Sequence, residues 1–144
     1  MNLHHRKRFY KKYGPDARSD VAIENEIIKR AKNSQLPCAV AFEIVKNLGV
    51  SADQVGMNVD FLNIRLTKCQ LGLFGYEPDK KIVKPQNEIK PDLKDAILNT
   101  LTDEKLSCKN AWEIASRLNV GKMTVSGTCE TLKLKIKPCQ LGAF

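Results

Sequence analysis

Residues 43–55 read EIVKNLGVSADQV, and the fold turns on how this stretch is read. Ile44, Val45 and Leu48 share one face at helical spacing, and Gly49 permits the left-handed backbone that a sharp turn between helices requires. Ser51 followed by Gln54 is a capping box, the start signal of a second helix. Seventy residues later, 113–125 spell EIASRLNVGKMTV. Asn119 replaces the glycine there, and asparagine is the other residue type that enters the left-handed region readily.

The same offset extends well beyond this stretch. Residues 21–74 laid against 91–144 without a gap share fifteen identities in 54 positions, mostly apolar. They include Leu36/Leu106, Cys38/Cys108, Ala41/Ala111, Ile44/Ile114, Leu62/Leu132 and the closing motif Cys-Gln-Leu-Gly-x-Phe at 69–74 and 139–144. This is a tandem duplication. A copy of 54 residues is small enough to fold alone only marginally, so the copies are expected to pack on each other. The expected organisation is a basic arm at 1–18, a first repeat at 19–74, a linker at 75–90 and a second repeat at 91–144. The linker contains a candidate strand at 81–84.

Within each copy the pattern predicts three helices and a short β element. The first helix spans about residues 20–33, capped by Asp20, with Asp92 in that role in copy two. The second starts near Leu36 or Cys38. The third places Val55, Val59 and Leu62 on the core side, matched by Val125, Cys129 and Leu132, which makes Cys129 a core residue. Alternation then sets in: Leu62, Ile64 and Leu66, or Leu132, Leu134 and Ile136, face one way. Arg65, or Lys133, Lys135 and Lys137, face the other, giving a strand with a basic outer side. Gly72 and Gly142 are expected to form turns that fold Leu71, Phe74, Leu141 and Phe144 back onto the core.

The pattern E-I-(V/A)-x-x-L-(G/N)-V-x-x-x-x-V resembles the helix-turn-helix core of bacterial and archaeal transcription regulators. Val45/Ala115, Gly49/Asn119 and Val55/Val125 occupy its small, turn and buried positions. The resemblance covers about twenty residues per copy. It implies a mainly α protein of two tandem winged-helix-like repeats, with the strand after the third helix as a wing. Copy one would complete that hairpin with residues 81–84, whereas copy two has no residues after Phe144 to do so. The third helices would then read DNA. Their expected outward residues are Asp53, Gln54, Met57, Asn58 and Phe61 in copy one. In copy two they are Lys122, Thr124, Ser126, Thr128 and Thr131. The fused pair would act as a monomer with internal pseudo-two-fold symmetry, or as a weak homodimer.

The net charge of +8 lies mostly in residues 1–18, which carry +5 through Arg6, Lys7, Arg8, Lys11, Lys12 and Arg18 against Asp16. Residues 19–74 are neutral overall. This placement tempers a DNA reading from charge alone; it is the duplicated helix-turn-helix resemblance that implies double-stranded DNA as the partner, with Gln54, Asn58, Lys122, Thr124, Ser126, Thr128, Lys133, Lys135, Lys137 and the arm as its contacts. A protein partner at Met57 and Phe61 of the first repeat is the alternative. Five cysteines without a C-x2-C pair, and no histidine in either repeat, speak against a metal site or disulfide framework. No phosphate loop or activated nucleophile motif points to an enzyme or a cofactor. The N-terminus lacks the apolar stretch of a secretory signal, and no run is long enough to span a membrane, so a cytoplasmic location is expected.

Overall fold

Six helices and four short strands make up the regular structure of residues 19–143, which the computed structural model describes. One order of elements is used twice. The first set is α1 (Val21–Arg30), β1 (Gln35–Pro37), α2 (Cys38–Leu48), α3 (Ala52–Phe61) and β2 (Arg65–Thr67). The second is α4 (Pro91–Thr100), β3 (Lys105–Leu106), α5 (Cys108–Leu118), α6 (Lys122–Thr131) and β4 (Lys135–Ile136). Each element of the second set begins 70 residues after its counterpart. Left-handed residues recur at the same offset: Asn33 and Asp103, Ser34 and Glu104, Gly49 and Asn119, Asn63 and Lys133, Gly72 and Gly142. The chain divides after Lys68 into two compact units.

In the first unit, Asp20 caps α1 by accepting from the amides of Ala22 and Ile23 at 2.9 and 3.2 Å. The helix stops at Arg30, short of Asn33, because Ala31 leaves helical backbone and Asn33 and Ser34 turn left-handed. Gly49 closes α2 at φ 63°, and the Ser51–Gln54 capping box opens α3. Ile23, Ile27, Leu36, Ala41, Ile44, Val55 and Val59 are buried. Asn58 is completely buried with them; its Oδ1 accepts from Asp20 N at 2.9 Å and its Nδ2 donates to Gln54 O at 2.8 Å. That side chain fastens the start of α1 to α3.

The β element differs from a wing. Leu62 ends α3 and Asn63 takes a φ of 57°, so the strand is only three residues long. It pairs in parallel with β1, in the register Gln35↔Arg65, Leu36↔Leu66, Pro37↔Thr67. β3 and β4 pair the same way, Lys105↔Lys135 and Leu106↔Ile136. A wing hairpin needs antiparallel strands joined by a tight turn. The expected wing strand at 81–84 is absent: Ile82 and Val83 direct their amides to Gly72 O at 2.9 and 3.0 Å and join no ladder.

In the second unit, α4 is capped by Lys90 without a side-chain bond and begins with Pro91 at its first position. Asp92 therefore lies inside the first turn and is not the cap. Proline suits that place because its missing N–H has no partner there anyway. The core consists of Leu93, Ile97, Leu106, Cys108, Ala111, Ile114, Ala115, Val125 and Cys129, joined by Cys69 and Leu71. The closing motif of the first sequence copy thus packs into the second unit. Leu71 is fully buried there, which is worth about 1.5–3 kcal/mol.

Residues 70–86 are bonded along α6. Ser126 Oγ donates to Leu71 O at 2.7 Å, Lys122 Nζ to Gln70 Oε1 at 3.2 Å, and Thr131 Oγ1 to Gln86 O at 2.9 Å. Gln86 N donates to Gly127 O at 3.2 Å, and Lys81 pairs with Glu130. The expected linker is therefore a packed layer of this unit. It comes so close that a Cβ on Gly127 would meet Lys84 O at 2.7 Å and Gln86 Nε2 at 2.9 Å.

Replacing Gly127 with Met, the residue at the matching position of copy one, is expected to lower stability by about 1–3 kcal/mol. The clash with backbone outweighs the roughly 0.5–1 kcal/mol that a helical glycine costs. Gly121→Ser, whose Cβ meets only Thr124 Oγ1 at 3.5 Å, should gain a few tenths of a kcal/mol as a better cap. Urea denaturation of the two variants beside the parent chain checks both signs.

Candidate nucleic-acid interface

The third helices do not present the surfaces expected of them. In α6, residues 125–129 are all buried, so Ser126 and Thr128 are not outward groups. Their hydroxyls are spent internally, Ser126 on Leu71 O and Thr128 on Thr124 O at 2.8 Å. Lys122 is half-buried, its ammonium 4.3 Å from the Trp112 ring centroid and bonded to Gln70. Thr124 is half-buried. In α3, Asn58 is buried and Gln54 is exposed, but the Gln54 side chain accepts from Ser51 N at 3.0 Å as part of the capping box. Met57 and Phe61 are half-buried, not outward. In α6 the face expected to be outward is lost because residues 70–86 are bonded along the helix; in α3 Asn58 is taken up by Asp20 N and Gln54 O.

The strand lysines behave differently. Lys133, Lys135 and Lys137 are exposed, and the parallel register sets the exposed Lys105 directly beside Lys135. Lys137 N donates to Leu106 O at 2.8 Å, which continues the pairing past the last strand residue. Lys105, Lys135 and Lys137 thus line one short ribbon and Lys133 stands in the left-handed turn that leads into it, and none of the four has an ion pair among the described residues. Three of them line a cleft of about 780 Å³ together with Leu73, Phe74, Leu134, Ile136 and the ion-paired Lys81 and Glu130. Lys105 escaped the sequence reading because nothing local announces that β3 pairs with β4 in parallel. The arm residues Arg6, Lys7, Arg8, Lys11 and Lys12 lie outside the described residues.

A second basic place lies in the first unit. Lys29, Arg30, Lys32 and Lys68 converge with Asn33, Gln35 and Thr67 on a cleft of about 570 Å³. Arg30 also pairs with Glu43. These cations come from the end of α1, the turn after it and the exit of β2. A neutral total for residues 19–74 conceals them.

Four of the five thiols are core groups, and Cys139 is half-buried. Cys38, Cys69, Cys108 and Cys129 are buried, and no group of three His, Cys, Asp or Glu side chains is placed to hold a metal among the described residues. Burial pushes the Cys69 thiol above its usual 9.0, although backbone amides of Leu73 and Leu71 counteract it. Burial does the same to Cys108, against a bond from Gln140 Nε2 to its Sγ at 3.4 Å. Cys129 is pushed up to about 11 by burial, assisted by the Glu130 carboxylate. Thiols held protonated in this way are poor nucleophiles.

No family model, curated protein or solved structure matches this chain.

A thiol whose folded pKa is raised favours the fold while protonated. Its contribution is intact below about 9 and fades as pH rises toward 11, where the unfolded chain has released a proton that the folded chain retains. Cys129→Val, the copy-one residue at that position, should therefore flatten the alkaline loss of stability by about 1–3 kcal/mol between pH 9 and 11. Denaturation midpoints of variant and parent from pH 8 to 11 measure the difference.

Proposed function

We propose that this protein binds double-stranded DNA, as a small regulator or architectural protein built from two helix-turn-helix modules. In each module a parallel two-stranded ribbon stands where a wing hairpin would be. The observation that supports this reading most is the group of four lysines at the second ribbon, Lys105, Lys135 and Lys137 along it and Lys133 in the turn before it, exposed and without ion pairs among the described residues. Flexible ammonium groups on a rigid ribbon are suited to phosphates, which fix position without reading sequence. The charge in residues 1–18 adds to the same sequence-independent attraction. Base reading by α6 is not part of the proposal, since the Cys69–Phe144 unit uses that helix internally.

One observation favours a second reading, a protein-assembly module. Ile28 and Leu98 occupy the same position of α1 and α4 and are 58% and 44% exposed. Two large apolar side chains retained outward at matched sites suit a protein contact.

Anisotropy of a labelled mixed-sequence duplex, titrated with salt, separates the two. The parent chain should bind at low salt, and Lys133→Gln, Lys135→Gln and Lys137→Gln together should make the slope of log affinity against log salt shallower by about 3. A parent that binds no duplex even at low salt overturns the DNA reading. Ile28→Gln with Leu98→Gln should leave that slope unchanged under the first reading and abolish association with a protein partner under the second.

A further inference from the structure

We infer that the cleft of the first unit, formed by Lys29, Arg30, Lys32, Asn33, Thr67 and Lys68, is a binding site for a backbone phosphate of the bound nucleic acid. The inference rests on the DNA reading and assigns it a second, separate contact point.

The chemistry is that of an oxyanion site. Four cations from three chain segments surround a cleft of about 570 Å³, within the range of small-ligand sites, roughly 300–1,000 Å³. No carboxylate lines it. Glu43 pairs with one nitrogen of Arg30, which steadies the guanidinium and leaves further N–H donors for a ligand. Thr67 lines the cleft at 8% exposure, and its hydroxyl has no protein partner among the described residues. Pro37 and Val40 supply an apolar wall against which a sugar can lie.

Gathering like charges opposes folding slightly, so the cluster needs a reason. A structural one is available for part of it: Lys29 and Arg30 end α1, where cations complement the helix dipole. The duplication tests whether the fold requires them. The matching cleft of the second unit is bounded by Thr102, Asp103, Lys105, Ser107, Lys137 and Pro138. At the positions of Lys29, Arg30, Lys32 and Lys68 that unit has Asn99, Thr100, Thr102 and Pro138. The same left-handed turn, at Asp103 and Glu104, and the same parallel strand pair form without any of the four cations; the backbone departs at Pro138, which follows a cis peptide bond where Lys68 is left-handed. Their convergence is thus a property of the first cleft's surface and not of the architecture.

The test uses the full chain and three measurements. Amide chemical shifts are followed while inorganic phosphate, and separately a 12-base-pair duplex, is added. Both should move Lys32, Asn33, Thr67 and Lys68. Lys32→Gln with Lys68→Gln alters two exposed side chains and should keep the denaturation midpoint, but it should abolish those shifts. It should also make the salt slope of duplex binding shallower by about 2, on the order of a 50-fold weaker complex at 0.1 M salt. Lys46→Gln with Lys94→Gln, an equal loss of charge elsewhere, should leave the slope unchanged. Duplex binding by the Lys32/Lys68 variant with the parent's slope overturns the inference while the DNA reading stands. A parent that binds no duplex overturns both, and shifts with phosphate alone would then mark a site for free anions, not for nucleic acid.

Discussion

A buried main-chain carbonyl must be given a donor, and in the second unit the carbonyl of Leu71 receives the hydroxyl of Ser126. The arrangement of that unit follows from this bond. It brings Leu71 into the core, sets Gly72 in the left-handed turn whose carbonyl takes two amides, and leads the chain back along α6 to Gln86. Copy one has Gly56 where Ser126 stands and Met57 where Gly127 stands. A hydroxyl and a missing side chain are what close approach of another backbone demands. Serine, threonine and glycine on a third helix also suit a phosphate, and here the same chemistry serves an intramolecular peptide segment.

What was legible in the sequence is what is local. The Gly49 and Asn119 turns, the Ser51–Gln54 capping box and the burial of Cys129 each depend on residues within a few positions of one another, and all are found. The parallel pairing of Leu36 with Leu66 joins positions thirty residues apart through strands too short to carry a clear alternation. The seating of Leu71 on Ser126 spans fifty-five residues. Helical phase alone put Ser126 and Thr128 outside, because a helix wrapped on two sides has no face that periodicity can mark as exposed.

The two units keep one order of elements and distribute charge differently over it. Lys29, Arg30, Lys32 and Lys68 have neutral counterparts in the second unit, while Lys105, Lys133 and Lys137 have Gln35, Asn63 and Thr67 as theirs in the first. Positions that set turns and core were preserved, whereas these cations stand around the ribbon in the first unit and mostly on it in the second. Any polyanion would meet two dissimilar basic sites.

The docking of residues 69–74 in the second unit puts the repeat of the sequence and the unit of folding out of phase. A copy defined by sequence ends at Phe74, whereas a body defined by packing begins at Cys69. A duplication that joins copies in this manner makes each downstream module the recipient of its predecessor's tail. The order of modules is then written into their cores, and the two halves of such a chain are not interchangeable parts.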